Sequence, residues 1–193
     1  MAGANRTDEG TQPPEGKHLP TATAERPSTR NGEVPHPVSV VVVTQATHSD
    51  IPEICALYKR VWDDYKGKLP EELIKTWEPS TLEFTSWMEG VTYFAARKDG
   101  RVVGAIGCAL EDGSVHLVHL VVDPEVRRQR IASALIAAAV DWAKRANAPE
   151  VWTDVLARFS AATALFRHLG FDQCGLLRKH QWNEDVQLFE RIL

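Results

Sequence analysis

The stretch 121-VVDPEVRRQRIASALI-136 decides how the rest of the chain is read. A β-branched run stops at Asp123-Pro124. Arg127, Arg128, Gln129 and Arg130 follow, and an alanine-rich helical pattern begins at once with Ile131, Ala132 and Ser133. A strand, a short basic turn and a helix start are therefore contiguous. The first amides of a helix have no intrahelical partner, and with the macrodipole they attract anions. Turns that cradle phosphate are usually glycine-rich, and this one has no glycine. It reads either as an anion site or as an ordinary helix start with a basic edge.

Upstream, 91-VTYFAAR-97, 101-RVVGAIGCAL-110 and 114-SVHLVHLVV-122 read as strands, separated by Asp99-Gly100 and Asp112-Gly113. Asp-Gly is a strong hairpin signal, so these three form an antiparallel meander. Downstream, a helix over 128–147 carries Leu135, Ile136, Ala139, Val140 and Ala143 on one face. A strand over 151–156, a short helix over 160–171 ending at Gly170, and strands near 172–179 and 185–192 complete the chain. The strand 114–122, its helix and the strand 151–156 make a β-α-β unit, whose right-handed crossover sets the two strands parallel.

At the front, 38-VSVVVVT-44 reads as a short buried strand. Ser49 or Asp50 caps a helix with Pro52 in its first turn, and Ile54, Leu57, Tyr58, Val61 and Trp62 recur at helical spacing. Two more helical pieces follow, one after Pro70 and one over about 80–89. The expected class is α/β (α+β), a mixed, mostly antiparallel sheet of about seven strands with helices on both faces.

Residues 1–37 hold Pro13, Pro14, Pro20, Pro27, Pro35 and Pro37 and no aromatic side chain. Such a segment buries too little apolar surface to offset its ordering entropy, so it is expected to be a disordered tail before one domain over 38–193. The net charge of −4 argues against a general nucleic-acid binder. Cys55, Cys108 and Cys174 form no CxxC pair and read as buried thiols of a reducing compartment. There is no signal-peptide pattern and no apolar run of about 18 residues, so a cytoplasmic protein away from membranes is expected. No His/Cys cluster has metal-ligand spacing, so no metal is expected.

The turn Arg127-Arg128-Gln129-Arg130-Ile131-Ala132, behind a meander and ahead of 164-ALFRHLGF-171, resembles the signature of the GNAT superfamily of N-acetyltransferases. The family pattern is Arg/Gln-x-x-Gly-x-Gly/Ala, followed later by a short helix ending in Leu-Gly-Phe. The likeness covers about 38–193. It implies that the turn and helix start (Arg127 to Ser133) hold the pyrophosphate of acetyl-CoA, and that the strand around Leu120, Val121 and Val122 holds the pantetheine arm through its backbone. An amide of Val121 or Val122 would contact the thioester carbonyl. The strand at 151–156 would splay away to make room.

Two positions depart from the pattern. Arg130 stands at the first glycine, where an arginine in ordinary helical geometry keeps its amide and loses only clearance. Phe166 stands on the short helix where a tyrosine often protonates the departing thiolate; Tyr58, Tyr65, Tyr93 or water are the substitutes. Base candidates are His116, where some members carry a glutamate, and His119; strand alternation points these two to opposite faces. Asp154 is a further base or amine-anchor candidate. The acidic group Asp63, Asp64, Glu71, Glu72 and Glu78 suits a cationic acceptor or a solvated helix face. Trp62, Trp77 and Trp87 are candidates for pocket or core. The expectation is acetyl transfer from acetyl-CoA to an amine of a small molecule or protein by direct attack. The rival is a non-catalytic acyl-CoA-binding or regulatory domain, and a longer acyl donor is a third reading. A homodimer through the C-terminal strands is a further expectation of the resemblance.

Overall fold

The computed structural model describes residues 40–193, and the tail expected over 1–37 lies outside them. The order is β1 (Val41–Gln45), α1 (Ile51–Asp63), α2 (Glu71–Trp77), α3 (Thr81–Gly90), β2 (Val91–Lys98), β3 (Arg101–Glu111), β4 (Ser114–Val122), α4 (Ile131–Arg145), β5 (Glu150–Leu156), α5 (Ser160–His168), β6 (Asp172–Gln181) and β7 (Glu184–Ile192). Short 3₁₀ turns cover His48–Asp50 and Pro124–Val126. The sheet has seven strands in the order β1-β2-β3-β4-β5-β7-β6. Every neighbouring pair is antiparallel except β4 and β5, as the crossover through α4 requires.

Each face of the sheet has its own core. On one, Ile131, Leu135, Ile136 and Ala139 of α4 and Phe166 of α5 pack with Phe171 and Phe189. On the other, Ile54, Leu57 and Tyr58 of α1, Leu73 of α2 and Phe84 of α3 pack over Tyr93 and Ala95. Gly104 lets α4 lie close on β3. A Cβ there would come within 2.9 Å of both Ile131 Cγ2 and Leu135 Cδ1.

Local chemistry accounts for most element ends. Asp99-Gly100 and Asp112-Gly113 each place two consecutive residues at positive φ, the geometry of the tight hairpin turn. Ser80 caps α3, its Oγ accepting from the Glu83 amide while the Glu83 carboxylate accepts from the Ser80 amide. Two expectations at the front need correction. β1 is an edge strand rather than a buried one: Val41 and Val43 pack on the sheet's core, but Val42 is exposed. Neither Ser49 nor Asp50 caps α1 through its side chain. The Asp50 carboxylate accepts instead from the Thr47 amide and from Arg97.

Candidate active site

β4 and β5 are paired only near their starts, at Val115–Val151 and His116–Trp152. Beyond those pairs the strands part, and two adjoining cavities open along the gap. One, of about 310 Å³, is lined by His116, His119, Asp154, Phe166 and Gln181 with the indoles of Trp62 and Trp77. The other, of about 680 Å³, is lined by Val122, Arg127, Arg128, Arg130, Ile131, Ala132 and Ser133. Leu120, Val121, Trp62, Phe159 and Ala162 border both, so the cavities meet at the middle of β4. The Trp62 Nε1–H on that shared wall is buried and has no partner among the described residues.

A bulge in β4 sets the geometry there. Ala105 of β3 pairs with Val121 and Gly107 with Val118, so β4 holds one more residue than its partner across the interval. His119 takes the strain, with φ of 57°. The bulge restarts the alternation, and His116 and His119 therefore reach the same cavity. The opposite-face expectation fails for this reason. Gly107 makes room for the kink, since a Cβ there would lie 2.8 Å from both Val118 Cγ2 and Val91 Cγ1. After the bulge, the Asp123 amide donates to Val103 O at 2.9 Å. Strand residues present their amides to alternate edges, so the Val122 amide, rather than that of Val121, faces the gap.

Aromatic groups clasp the bulge. Tyr58 Oη donates to the His119 carbonyl at 2.7 Å, Tyr93 Oη meets His119 Nδ1 at 2.6 Å, and Trp87 stacks on the ring at 4.4 Å. Burial, and then nearby His116, push the His119 pKa down to about 4. His119 is thus a neutral ring held in the fold. Burial also raises the Tyr58 and Tyr93 hydroxyls, so both stay protonated and committed to His119. Of the tyrosines considered as proton donors, Tyr65 is the one lining the larger cavity.

This neutral ring has a consequence for stability. Between pH 6.5 and about 4 the unfolded chain binds a proton at His119 that the folded chain refuses. Stability therefore falls as pH drops through that window, by up to about 3 kcal/mol from this group. Urea unfolding of the native protein from pH 7 to 4.5, beside His119→Gln, checks this. The variant should show a flatter dependence, and parallel curves would refute the assignment.

The second histidine has a different setting. His116 Nε2 lies 2.9 Å from Asp154 Oδ1, and Gln181 Nε2 donates to Asp154 Oδ2 at 3.2 Å. The Trp152 indole stacks on the imidazole at 3.6 Å, with planes 5° apart. Glu111 Oε1 lies 3.8 Å from His116 Nδ1. The hydrogen bond from His116 outweighs burial and holds the Asp154 carboxyl below its usual range. Asp154 is then the acceptor, Nε2 carries the hydrogen, and the lone pair of His116 sits on Nδ1.

The turn after β4 carries the largest departure from the sequence reading. Arg130 is not helical: its φ is 61°, and Arg128 has φ of 64°. α4 starts at Ile131 rather than 128. Glycine enters left-handed geometry freely, whereas other residues lose about 1–2 kcal/mol. The first amide bonded within the helix is that of Ala134, to Arg130 O at 3.0 Å. The amides of Ile131, Ala132 and Ser133 precede it at the cavity wall. Arg127 is held back by Asp64 at 2.9 Å and lies 5.7 Å from the Tyr65 ring centroid. Gln129 turns away from the cavity and accepts from Lys98 at 2.8 Å. Arg128 and Arg130 are exposed and have no ion pair among the described residues. Asp123 buttresses the turn: it is 1% exposed, accepts from the Glu125 amide, and bonds Arg60 at 2.9 Å and Arg101 at 2.7 Å. Burial alone would raise its pKa, but the Glu125 amide and the two guanidiniums hold it low.

The sequence pattern of the acetyltransferase (GNAT) family matches residues 54–171, more than half of the chain. The chain belongs to that family. Among curated relatives, human N-acetyltransferase 8 is 29% identical over 130 residues, covering 64% of this GNAT chain and 56% of that protein. Human N-acetyltransferase 8B is 31% identical over 105 residues, covering 51% and 46%. The GNAT chain thus spans about half the length of these relatives. Among solved structures, the ribosomal-protein-S18-alanine N-acetyltransferase of Escherichia coli has a TM-score of 0.66 at 20% identity, over 79% of this chain and 94% of that one. The PaiA N-acetyltransferase of Thermoplasma acidophilum, in complex with coenzyme A, has a TM-score of 0.66 at 17% identity, over 80% and 99%. These likenesses establish the GNAT fold.

Within this GNAT domain the candidate residues divide clearly. His116, Asp154 and Phe166 meet in the smaller cavity, and the turn residues except Gln129 meet in the larger. Trp62 and Trp77 line the smaller cavity, while Trp87 serves the clasp. The acidic group lines neither cavity. Asp63, Asp64, Glu71 and Glu78 pair instead with Lys59, Lys66, Lys68, Lys75 or Arg127 on the helix surfaces. Burial pushes the Cys108 thiol up to about 12, so it is an inert core residue, but the buried-thiol expectation fails for the other two, since Cys55 is half-buried and Cys174 on β6 is exposed. Trp152 and Gln181 were not legible as site residues. The available signal was two-residue spacing, which puts Trp152 and Asp154 on one face of β5.

Proposed function

We propose that the chain is an acetyl-CoA-dependent N-acetyltransferase that acetylates a primary amine by direct attack. The carrying observation is the gap between β4 and β5, with the His116–Asp154 pair on one side and the free α4 amides on the other. Acetyl-CoA is the acyl-donor substrate. Its pyrophosphate suits the amides of Ile131, Ala132 and Ser133, with Arg128 and Arg130 supplying charge. Its pantetheine amides suit the free edge of β4, and the Val122 amide is available to the thioester oxygen.

The acceptor amine must attack as the neutral base. Asp154 accepts a hydrogen bond from it, and His116 Nδ1 takes its proton through water. The resulting imidazolium lies between Asp154 and Glu111 and against the Trp152 face, all of which favour positive charge. A bond forms from nitrogen to the acyl carbon and the carbon–sulfur bond breaks. The sulfur departs with the electron pair. Phe166 offers no proton, but a thiol of pKa about 8.5 leaves readily as thiolate and is protonated by water. The products are the N-acetyl amine and coenzyme A.

Titration calorimetry with acetyl-CoA tests the reading, repeated with Arg130→Gly. The native protein should bind. The variant should bind about tenfold more weakly, as one charge-assisted phosphate contact is lost. Its stability should change by less than about 1 kcal/mol, because relief of the left-handed backbone is offset by glycine's unfolded-state entropy. Tighter binding would mark Arg130 as an obstruction. The rival reading, a non-catalytic acyl-CoA-binding domain, is favoured by Phe166 and requires binding with no amine turned over.

A further inference from the structure

The smaller cavity has an unusual balance of charge for an amine site. Among the described residues lining it Asp154 is the one carboxylate, and both carboxylate oxygens are already engaged, by His116 and Gln181. The described residues lining it include no lysine or arginine. Its other polar groups are mostly turned to the protein: Thr153 Oγ1 donates to Leu117 O and Tyr58 Oη to His119 O. A diamine or polyamine would bring a second ammonium with no anion to meet it. A free amino acid would bring a carboxylate with no cation to meet it. Either group would be desolvated without compensation, which is strongly unfavourable.

The walls favour a flat apolar group. The rings of Trp62 and Trp77 lie 5.1 Å apart, and Trp182 sets its edge to Trp77 at 5.5 Å. Phe159 and Leu156 complete the apolar surface. At about 310 Å³ the cavity is at the small end of ligand pockets, which run from about 300 to 1,000 Å³.

Resting on the acetyltransfer reading, we propose that the acceptor is a small monoamine whose primary amine is carried on an aromatic group, an arylalkylamine. The ring packs on Trp62 and Trp77 while the amine reaches Asp154. Chemically, R–NH₂ and acetyl-CoA give R–NH–CO–CH₃ and free coenzyme A. The amine proton goes to His116 and the sulfur leaves with its electron pair.

The test is release of coenzyme A thiol with acetyl-CoA and four acceptors: phenethylamine, cadaverine, phenylalanine and an alanine-terminated peptide. Phenethylamine should exceed each of the others at least tenfold in kcat/KM. Trp77→Leu keeps an apolar wall but removes the ring face, and should lower kcat/KM for phenethylamine about five- to tenfold through KM. Acetyl-CoA affinity of that variant, measured by calorimetry, should stay within twofold and reports that it is folded. Equal or better turnover of cadaverine, phenylalanine or the peptide, or a Trp77→Leu enzyme with unchanged KM, would overturn the substrate inference and leave acetyl transfer standing. No turnover of any acceptor would overturn the acetyltransfer reading itself.

Discussion

Replacing His116 by glutamine lowers kcat about 100-fold or more, the scale of a lost general base. Glutamine is the informative substitution because its amide can still donate to Asp154 Oδ1, now 2.9 Å from His116 Nε2. The pocket keeps its shape and loses only the titrating lone pair. The dissociation constant for acetyl-CoA should stay within about twofold, because His116 lines the smaller cavity and not the larger. The native kcat/KM should rise with pH as the neutral forms of the base and the amine become available, and the variant's profile should lose the part of that rise that depends on the base. A variant with reduced rate but an unaltered pH profile would remove His116 from the proton path. Asp154→Asn should also lower kcat, since the acceptor amine loses its carboxylate anchor and the protonated imidazole loses its counter-ion.

Replacing Asp123 by alanine destabilises the fold by about 2–3 kcal/mol. Asp123 is 1% exposed and joins three segments: Arg60 of α1, Arg101 of β3 and the amide of Glu125. Removing the carboxylate leaves two guanidiniums facing each other, with only the exposed Glu125 carboxylate, 3.5 Å from Arg101, as a nearby anion. Both are partly exposed, with side chains 35% and 49% accessible, so water recovers part of the loss and the effect falls short of a fully buried pair. Asp123→Asn keeps an acceptor for the Glu125 amide and should lose about half as much. Urea unfolding measures both. The same variants should weaken acetyl-CoA binding, because the loop carrying Arg127 to Arg130 springs from this residue. A midpoint unchanged in Asp123→Ala would mean the two arginines find other partners.

The parts of the fold that sequence made legible are those set by local rules. Asp-Gly pairs placed both hairpins of the meander, apolar spacing placed α1 and α4, and the crossover rule made β4 and β5 parallel. The turn motif was legible as a motif, but its backbone was not. Left-handed geometry is not expected of arginine, and here the route from the Pro124–Val126 turn into α4 imposes it twice. The bulge was hidden for a similar reason, since no glycine marks it in β4. Its trace is Gly107, on the neighbouring strand. His116 and Asp154 were each picked out separately. Their meeting depends on the register of two strands 38 residues apart in sequence, which no local pattern fixes. Gln181 was beyond reach for the same reason. It belongs to β6, past residue 171 where the family pattern stops.

The extra residue in β4 also has an arithmetic consequence. Before it, even-numbered positions such as His116 look toward α1–α3; after it, odd-numbered Val121 does so, while Leu120 and Val122 pack with the opposite core. Parity is inverted midway along one strand. Deleting the residue at 119 would remove the extra residue and set Val118 and Leu120 in ordinary alternation, so each remaining position would keep its face of the sheet. The loss would fall on the ring and carbonyl that Tyr58, Tyr93 and Trp87 clasp, whereas a deletion elsewhere in β4 would exchange inward for outward at every position on one side of the cut.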